Sequence, residues 1–151
     1  MNFPRILKKR KGYIDRIKPF MQKSVAKVLT GQRRVGKSFL LYQLIEEILA
    51  EEPDANIIYV NLEDFTFSSL QTAEDLHSYI ISHSKEKVKN YIFIDEIQDI
   101  PGFEKVIRSL LLNEDNDIYI TGSNAKMLSG ELATYLSGRY IEFKIYSLSY
   151  S

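Results

Sequence analysis

Apolar residues in this chain form short continuous runs that alternate with segments of helical spacing. The continuous runs, each bounded by polar residues or glycine, predict strands over Ser24–Thr30, Asn56–Asn61, Asn90–Asp95, Asp117–Thr121 and Arg139–Ile145. The segments between them predict helices over Lys37–Ala50, Thr72–Ser84, Phe103–Leu112 and Lys126–Leu136. Strands that alternate with helices indicate an α/β fold, with a mainly parallel five-stranded sheet between two layers of helices.

Composition narrows the class of protein. The chain has 151 residues, 44% of them hydrophobic, which fits a single globular domain over residues 1–151. There is no cysteine and there are two histidines, so disulfides, thiol nucleophiles and cysteine–zinc sites are excluded. No apolar run approaches the length of about 20 residues that a membrane-spanning helix needs, and the first residues lack an apolar export signal. We therefore expect a cytoplasmic protein without membrane insertion.

Charge is distributed unevenly although the net charge is zero. Residues 1–37 contain 12 lysines and arginines against one acid, Asp15, whereas residues 38–151 contain 8 basic and 19 acidic residues. One interpretation is a solvated basic helix beside a phosphate-binding loop, in which residues 1–23 form a basic segment that leads into the domain. The alternative is a nucleic-acid partner, for which the basic residues 1–37 are the whole support.

The motif that carries chemistry is a glycine-rich loop between the first strand and the first helix. Residues 31–38 fit the pattern G-x-x-x-x-G-K-[ST] of a phosphate-binding P-loop, also called Walker A. Backbone N–H groups and a helix N-terminus hold the phosphates, Lys37 reaches the β- and γ-phosphates, and the Ser38 hydroxyl binds Mg²⁺. The predicted nucleotide-binding residues are Gly31, Gln32, Arg33, Arg34, Val35, Gly36, Lys37, Ser38 and Phe39.

Two acids follow the apolar strand Asn90–Asp95, as in a Walker B motif. Asp95 is expected to hold Mg²⁺ directly or through water, and Glu96 to polarise the water that attacks the γ-phosphate. The alternative is a strand that ends in acids for solubility. Signalling GTPases carry D-x-x-G here and a separate N-K-x-D motif, and this chain has neither, so ATP is favoured over GTP.

Further candidates follow the fourth strand and precede the fifth. Ser123 or Asn124 is positioned to hydrogen-bond the γ-phosphate or the attacking water, although both are also common turn and capping residues. Arg139 is a candidate to stabilise transition-state charge, from the same or a neighbouring subunit. Its alternative is a solvent-facing arginine that pairs with Glu131 or Glu142. An arginine supplied by a neighbour would require a homo-oligomer.

Three stretches together resemble the prokaryotic AAA-like ATPases usually described only as ATP-binding proteins. They are GQRRVGKS, YIFIDEIQ and YITGSNAKMLSGELATYLSGRYIEFKIYSLS, and the likeness covers roughly residues 5–150. The resemblance implies a sheet of order 5-1-4-3-2, a phosphate loop at Gly31–Ser38, acids at Asp95 and Glu96, a polar sensor at Ser123 or Asn124, and a family arginine at Arg139. Relatives usually continue into a C-terminal domain, so we expect this chain to be the N-terminal part of something longer.

Three functions are consistent with these residues. The first is an ATPase that binds ATP and Mg²⁺ and hydrolyses ATP by attack of water on the γ-phosphate. The second is a nucleotide-gated switch or interaction module, with an unidentified protein partner and little turnover. The third is the ATPase module of a nucleic-acid-associated protein.

Overall fold

A five-stranded parallel sheet forms the centre of the molecule. The computed structural model describes residues 11–32, 36–123 and 130–146. Its strands are β1 (Ala26–Thr30), β2 (Asn56–Asn61), β3 (Asn90–Asp95), β4 (Asn116–Gly122) and β5 (Tyr140–Lys144). Their spatial order is β2-β3-β4-β1-β5, and every neighbouring pair is parallel. This is the expected order 5-1-4-3-2 read from the other edge, so the predicted fold class and topology are confirmed.

Helices connect the strands over both faces of the sheet. They are α1 (Lys11–Ile17), α2 (Lys37–Glu51), α3 (Ala73–His83), α4 (Phe103–Leu110) and α5 (Gly130–Leu136). The start of α3 is determined by a capping box, in which Thr72 accepts from the Asp75 N–H and the Asp75 carboxylate accepts from the Thr72 N–H. The helix predicted over Lys126–Leu136 is confirmed from Gly130 onwards, and residues 126–129 lie outside the described part of the chain.

The sheet buries two apolar faces, as the continuous apolar runs predict. Alternate residues such as Val28, Ile92 and Ile120 pack under α3, α4 and α5. The residues between them, such as Leu29 and Phe93, pack under α1 and α2. Because side chains alternate along a strand, a strand buried on both faces must be apolar at nearly every position.

A buried ion pair interrupts this apolar pattern at the amino ends of the strands. Lys27 in β1 and Asp117 in β4 are both fully buried, and Lys27 Nζ lies 2.5 Å from Asp117 Oδ1. The Lys27 ammonium also donates to the backbone oxygens of Lys23 and Val25, and the Tyr119 hydroxyl donates to Asp117 Oδ2. Burial lowers the pKa of Lys27, and Asp117 partly opposes that shift. The pair joins the neighbouring strands β1 and β4 near their amino ends, away from the glycine-rich loop.

Candidate nucleotide-binding site

The carboxyl ends of β1, β3 and β4 bring the predicted site residues to one edge of the sheet. β1 ends at Thr30, directly before the glycine-rich loop, and α2 begins at Lys37 directly after it. Gly36, at φ 93°, has the left-handed conformation that a side chain disfavours, which explains the second glycine of the motif. Arg33, Arg34 and Val35 lie outside the described residues, so their predicted contacts with nucleotide stay predictions.

Lys37 is buried in the first turn of α2, and its ammonium lies under the loop. Nζ donates to the backbone oxygens of Gly31 at 2.5 Å and Gln32 at 3.1 Å. It also lies 3.8 Å from Glu96 Oε2. The ammonium therefore stands between the loop and the carboxylate that follows β3. A phosphate group held by the loop would meet a positive charge already in place.

Asp95, at the end of β3, accepts hydrogen bonds from three hydroxyl groups. Ser38 Oγ donates to Oδ2 at 2.5 Å, and Tyr59 on β2 donates to the same oxygen at 3.2 Å. Thr121 on β4 donates to Oδ1 at 2.5 Å. The carboxylate is 1% exposed, so these donors supply the hydrogen bonds that water would otherwise provide. Burial foremost, and then the Asp95 charge, raises the pKa of Tyr59, which keeps its hydroxyl a donor.

The donor set at Asp95 fits Mg²⁺. Magnesium prefers oxygen ligands and is usually held by one or two protein groups together with phosphates and water. The Ser38 hydroxyl and the Asp95 carboxylate are such a pair, and their oxygens are already adjacent. Within residues 11–32, 36–123 and 130–146 there is no cluster of three or more His, Cys, Asp or Glu side chains that would bind a metal without a substrate.

Glu96 follows Asp95 in an unusual backbone conformation. Its φ of 58° and ψ of 50° are left-handed, which costs energy for any residue other than glycine and is found preferentially at functional sites. The Glu96 N–H donates to Thr121 Oγ1 at 2.9 Å. Its carboxylate is 6% exposed and accepts a 2.7 Å hydrogen bond from Gln98 Nε2 at Oε1. Thr121 thus links both acids of the motif to β4.

Ser123, one of the two sensor candidates, lies beside this carboxylate, and its sensor role stays a prediction. Its hydroxyl is 3.4 Å from Glu96 Oε1, and its N–H donates to Gln98 Oε1 at 3.2 Å. The other sensor candidate, Asn124, lies outside the described residues. Of the loop flanks, Gln32 is exposed, and the half-buried Phe39 packs edge-on against the Tyr42 ring.

Arg139 lies at the amino ends of the strands, on the side of the sheet opposite the glycine-rich loop. It directly precedes β5, and its backbone oxygen accepts from the N–H of Ala26, the first residue of β1. The length of β1, about 13 Å, separates that point from the glycine-rich loop. The backbone of Arg139 thus lies at the amino ends of the strands, and its role at the site of its own subunit stays a prediction. Its supply by a neighbouring subunit stays a prediction. Glu142, considered as a partner for Arg139, accepts a hydrogen bond from Thr30 Oγ1.

Three residues, Tyr59, Gln98 and Thr121, were not predicted as part of this site. Tyr59 lies in no motif, Gln98 ends the stretch YIFIDEIQ without an assigned role, and Thr121 was predicted only as the end of a strand. The signal for Thr121 is its register. β4 pairs with β3 at Ile120 and Ile94, so the polar residue that ends the apolar run of β4 must lie beside Asp95.

The family is established by direct comparison. Residues 23–151 match the family model of an AAA domain. The chain belongs to this AAA domain family. Two curated relatives are uncharacterized proteins. One, from Haemophilus influenzae, is 43% identical over 148 residues, which cover 93% of this chain and 36% of the relative. The other, from Methanocaldococcus jannaschii, is 36% identical over 125 residues, which cover 82% of this chain and 27% of the relative. This AAA domain thus spans about a third of the length of these relatives.

Solved structures of more distant proteins share the fold of the AAA domain. Saccharomyces cerevisiae Rif2 matches with a TM-score of 0.61 at 14% identity, over 93% of this chain and 56% of that one. AMPPCP-bound DnaA from Aquifex aeolicus matches with a TM-score of 0.53 at 17% identity, over 93% of this chain and 47% of that one. At these identities the likeness concerns the fold. No helix in the described part of the AAA domain is both long and apolar enough to span a membrane.

Proposed function

We propose that this AAA domain binds ATP with Mg²⁺ and hydrolyses ATP to ADP and phosphate by attack of water on the γ-phosphate. One observation carries the proposal. Four side chains meet at the carboxyl ends of the strands: Lys37 and Ser38 at the start of α2, and Asp95 and Glu96 where β3 ends. Ser38 Oγ lies 2.5 Å from Asp95 Oδ2, and Lys37 Nζ lies 3.8 Å from Glu96 Oε2. Lysine, hydroxyl, metal-binding carboxylate and candidate base are the parts that phosphoryl transfer to water needs.

Each residue has a role that follows from its position. Lys37 exchanges the carbonyl oxygens of Gly31 and Gln32 for phosphate oxygens and so places positive charge against the nucleotide. Ser38 and Asp95 hold Mg²⁺, and Tyr59 and Thr121 orient the Asp95 carboxylate. Bound Mg²⁺ would neutralise charge that develops on the phosphoryl oxygens.

Glu96 is proposed as the base that orients the attacking water and takes its proton. A carboxylate in this role needs one oxygen free to accept from water. Oε1 is engaged by Gln98 and Ser123, and Oε2 faces Lys37. Withdrawal of the Lys37 ammonium toward a phosphate would release Oε2 for water. Nucleotide binding and activation of Glu96 would thereby be linked.

Arg139 is proposed to act on the site of a second subunit, because its backbone lies at the amino ends of the strands and its own site lies at their carboxyl ends. A guanidinium that meets the γ-phosphate of a neighbour stabilises the charge of the transition state. This role predicts that turnover depends on protein concentration and that Arg139→Ala lowers turnover without lowering nucleotide affinity.

The experiment that tests the proposed function separates binding from hydrolysis. Calorimetric titration with slowly hydrolysed ATP and GTP analogues, with and without Mg²⁺, should show saturable, magnesium-dependent binding that favours ATP. Glu96→Gln should retain that binding and lose turnover, whereas Glu86→Gln, at an exposed position away from the site, should retain both. Turnover of Glu96→Gln at the parent rate would show that the role given to Glu96 is wrong.

A nucleotide-gated switch is the second candidate. It is favoured by the engagement of both Glu96 oxygens by protein groups, an arrangement without a free base. Single-turnover measurement with excess protein distinguishes the two. Hydrolysis of a bound ATP supports the enzyme, and tight binding without hydrolysis supports the switch.

A further inference from the structure

A glutamine without a predicted role, Gln98, bridges the candidate base Glu96 and Ser123, the first residue after β4. Gln98 lies in the short 3-10 turn Ile97–Asp99. Its Nε2 donates to Glu96 Oε1 at 2.7 Å, and its Oε1 accepts from the Ser123 N–H at 3.2 Å. One side chain amide is thereby hydrogen-bonded to a carboxylate on one side and to a backbone N–H on the other.

We propose that Gln98 is a positioning residue that couples the orientation of Glu96 to the position of Ser123, the first residue after β4. The inference rests on the proposed function, because it gives Glu96 the role of base. Gln98 itself touches neither nucleotide nor water in the proposed reaction. Its effect is to hold Oε1 of Glu96, which leaves Oε2 as the oxygen that faces Lys37.

The chemistry of the bridge requires an amide. A carboxylate such as Glu96 needs a donor, and a backbone N–H such as that of Ser123 needs an acceptor. Glutamine supplies both on one planar group, so displacement of one partner disturbs the other. A glutamate in its place would keep an acceptor for Ser123 and present a like charge to Glu96. A methionine of similar length would keep neither bond.

Local backbone geometry makes the bridge a defined connection. The left-handed conformation of Glu96 turns the chain, so that residues 96 and 98 present side chains to the same partner at Ser123. The Glu96 backbone is itself held by Thr121, two residues before Ser123. A displacement of Ser123 would therefore first break its bond to Gln98 and would leave the Thr121 contacts in place.

The bridge is tested by amide hydrogen exchange at Ser123 in the full chain. Gln98→Met removes the acceptor, so the Ser123 N–H should exchange faster than in the parent protein. Gln98→Glu keeps an acceptor but sets a like charge beside Glu96, so its Ser123 exchange rate should lie between those of the parent and Gln98→Met. Gln71→Met, at an exposed glutamine away from the site, is the matched control. Equal Ser123 exchange in the parent and in Gln98→Met would overturn the coupling whether or not the protein hydrolyses ATP.

The action on Glu96 is tested by a double-mutant cycle in turnover. Gln98→Met should lower kcat about tenfold, the effect of one hydrogen bond to a charged group, with analogue affinity and KM within about twofold. In the Glu96→Gln background the same substitution should change the residual rate little, because the group on which Gln98 acts is gone. An equal loss in both backgrounds would overturn the positioning role.

Failure of the proposed function gives a different result. If the parent protein binds the ATP analogue and shows no single-turnover hydrolysis, the assignment of Glu96 as base fails, and so does the positioning of a base by Gln98. The exchange experiment then decides only whether the bridge exists. If the parent hydrolyses ATP and Gln98→Met matches it in kcat, the proposed function stands and the inference is overturned.

Discussion

The hydroxyl of Ser38 donates a 2.5 Å hydrogen bond to the carboxylate of Asp95, which joins the first turn of α2 to the carboxyl end of β3. The two residues are 57 positions apart in the chain. Their oxygens belong to the two predicted Walker motifs and are the ligands proposed for Mg²⁺. The contact shows that the fold brings these two oxygens together.

Removal of Ser38 Oγ should weaken the magnesium dependence of binding. In Ser38→Ala we expect the analogue to bind with nearly the same affinity with and without Mg²⁺, because one of the two protein ligands is gone. Ser78→Ala, on the exposed side of α3, should behave like the parent. Calorimetric titration in the presence and absence of Mg²⁺ measures the difference. A full magnesium response in Ser38→Ala would remove Ser38 from the ligand set.

Lys37→Ala should abolish tight ATP binding. The ammonium is 4% exposed and would be the buried positive charge opposite the phosphates. Loss of one member of such a pair costs about 2 kcal/mol or more, which corresponds to a loss of affinity of about 30-fold or more. Lys105→Ala, at an exposed position on α4, is the control. Parent-like affinity in Lys37→Ala would contradict the phosphate role.

Tyr59→Phe should separate orientation of Asp95 from ring packing. The substitution keeps the ring contact with Tyr42, in which the two ring centroids are 5.6 Å apart. It removes one of the three hydroxyl groups that donate to the Asp95 carboxylate. We expect a stability loss of about 1 kcal/mol in urea unfolding, and a smaller increase in affinity on addition of Mg²⁺. An unchanged magnesium response would limit Tyr59 to packing.

Removal of one charge of the buried pair Lys27–Asp117 should lower the free energy of unfolding more than removal of both charges. Lys27→Met leaves a buried carboxylate without its cation, and we expect a loss of about 3–5 kcal/mol in urea unfolding. The double variant Lys27→Met/Asp117→Asn removes both charges and keeps an acceptor for the Tyr119 hydroxyl, so it should be more stable than Lys27→Met alone. If the double variant were the less stable of the two, the charge-pair explanation would be wrong.

Alkaline pH should unfold the domain through its buried tyrosines. Burial, followed by the charge of Asp117 and its hydrogen bond, raises the pKa of Tyr119 above the ordinary value near 10. The unfolded chain therefore loses this proton first, and the stabilisation that depends on it is present below about pH 10 and lost as the pH rises further. The lowered pKa of Lys27 acts in the opposite sense. It makes the domain more stable as the pH rises toward 10.5, the ordinary value of a lysine in the unfolded chain.

Tyrosinate absorbance during an alkaline titration measures this effect. Tyr119 should ionise together with the cooperative loss of structure, after the exposed tyrosines. Tyr119→Phe should make the loss of stability above pH 10 less steep, whereas Tyr146→Phe, at an exposed position, should leave the slope unchanged. The same slope in all three proteins would show that Tyr119 does not carry the pH dependence.

Much of the fold was predictable because local patterns and tertiary burial agree. The bounds of β2 and β3 were predicted without error, since each is a continuous apolar run between polar residues. Helix ends were less accurate: the helix predicted over Phe103–Leu112 ends at Leu110. A helix in the basic segment was expected only as a solvated one without stated bounds, whereas α1 buries Ile14 and Ile17.

The site divides in the same way. The sequence by itself was enough to select the P-loop glycines, Lys37 and Ser38, and the acids Asp95 and Glu96 as candidates, because each motif is contiguous and local chemistry imposes its spacing. The tertiary structure alone decided what holds those acids, and it placed Arg139 at the far edge of the sheet. The Asp95 carboxylate is held by hydroxyls from β2 and β4, and Lys27 meets Asp117 across 90 positions of the chain. Such partners come from strands that are neighbours only after the sheet forms, and parallel order and register, which no local segment encodes, select them.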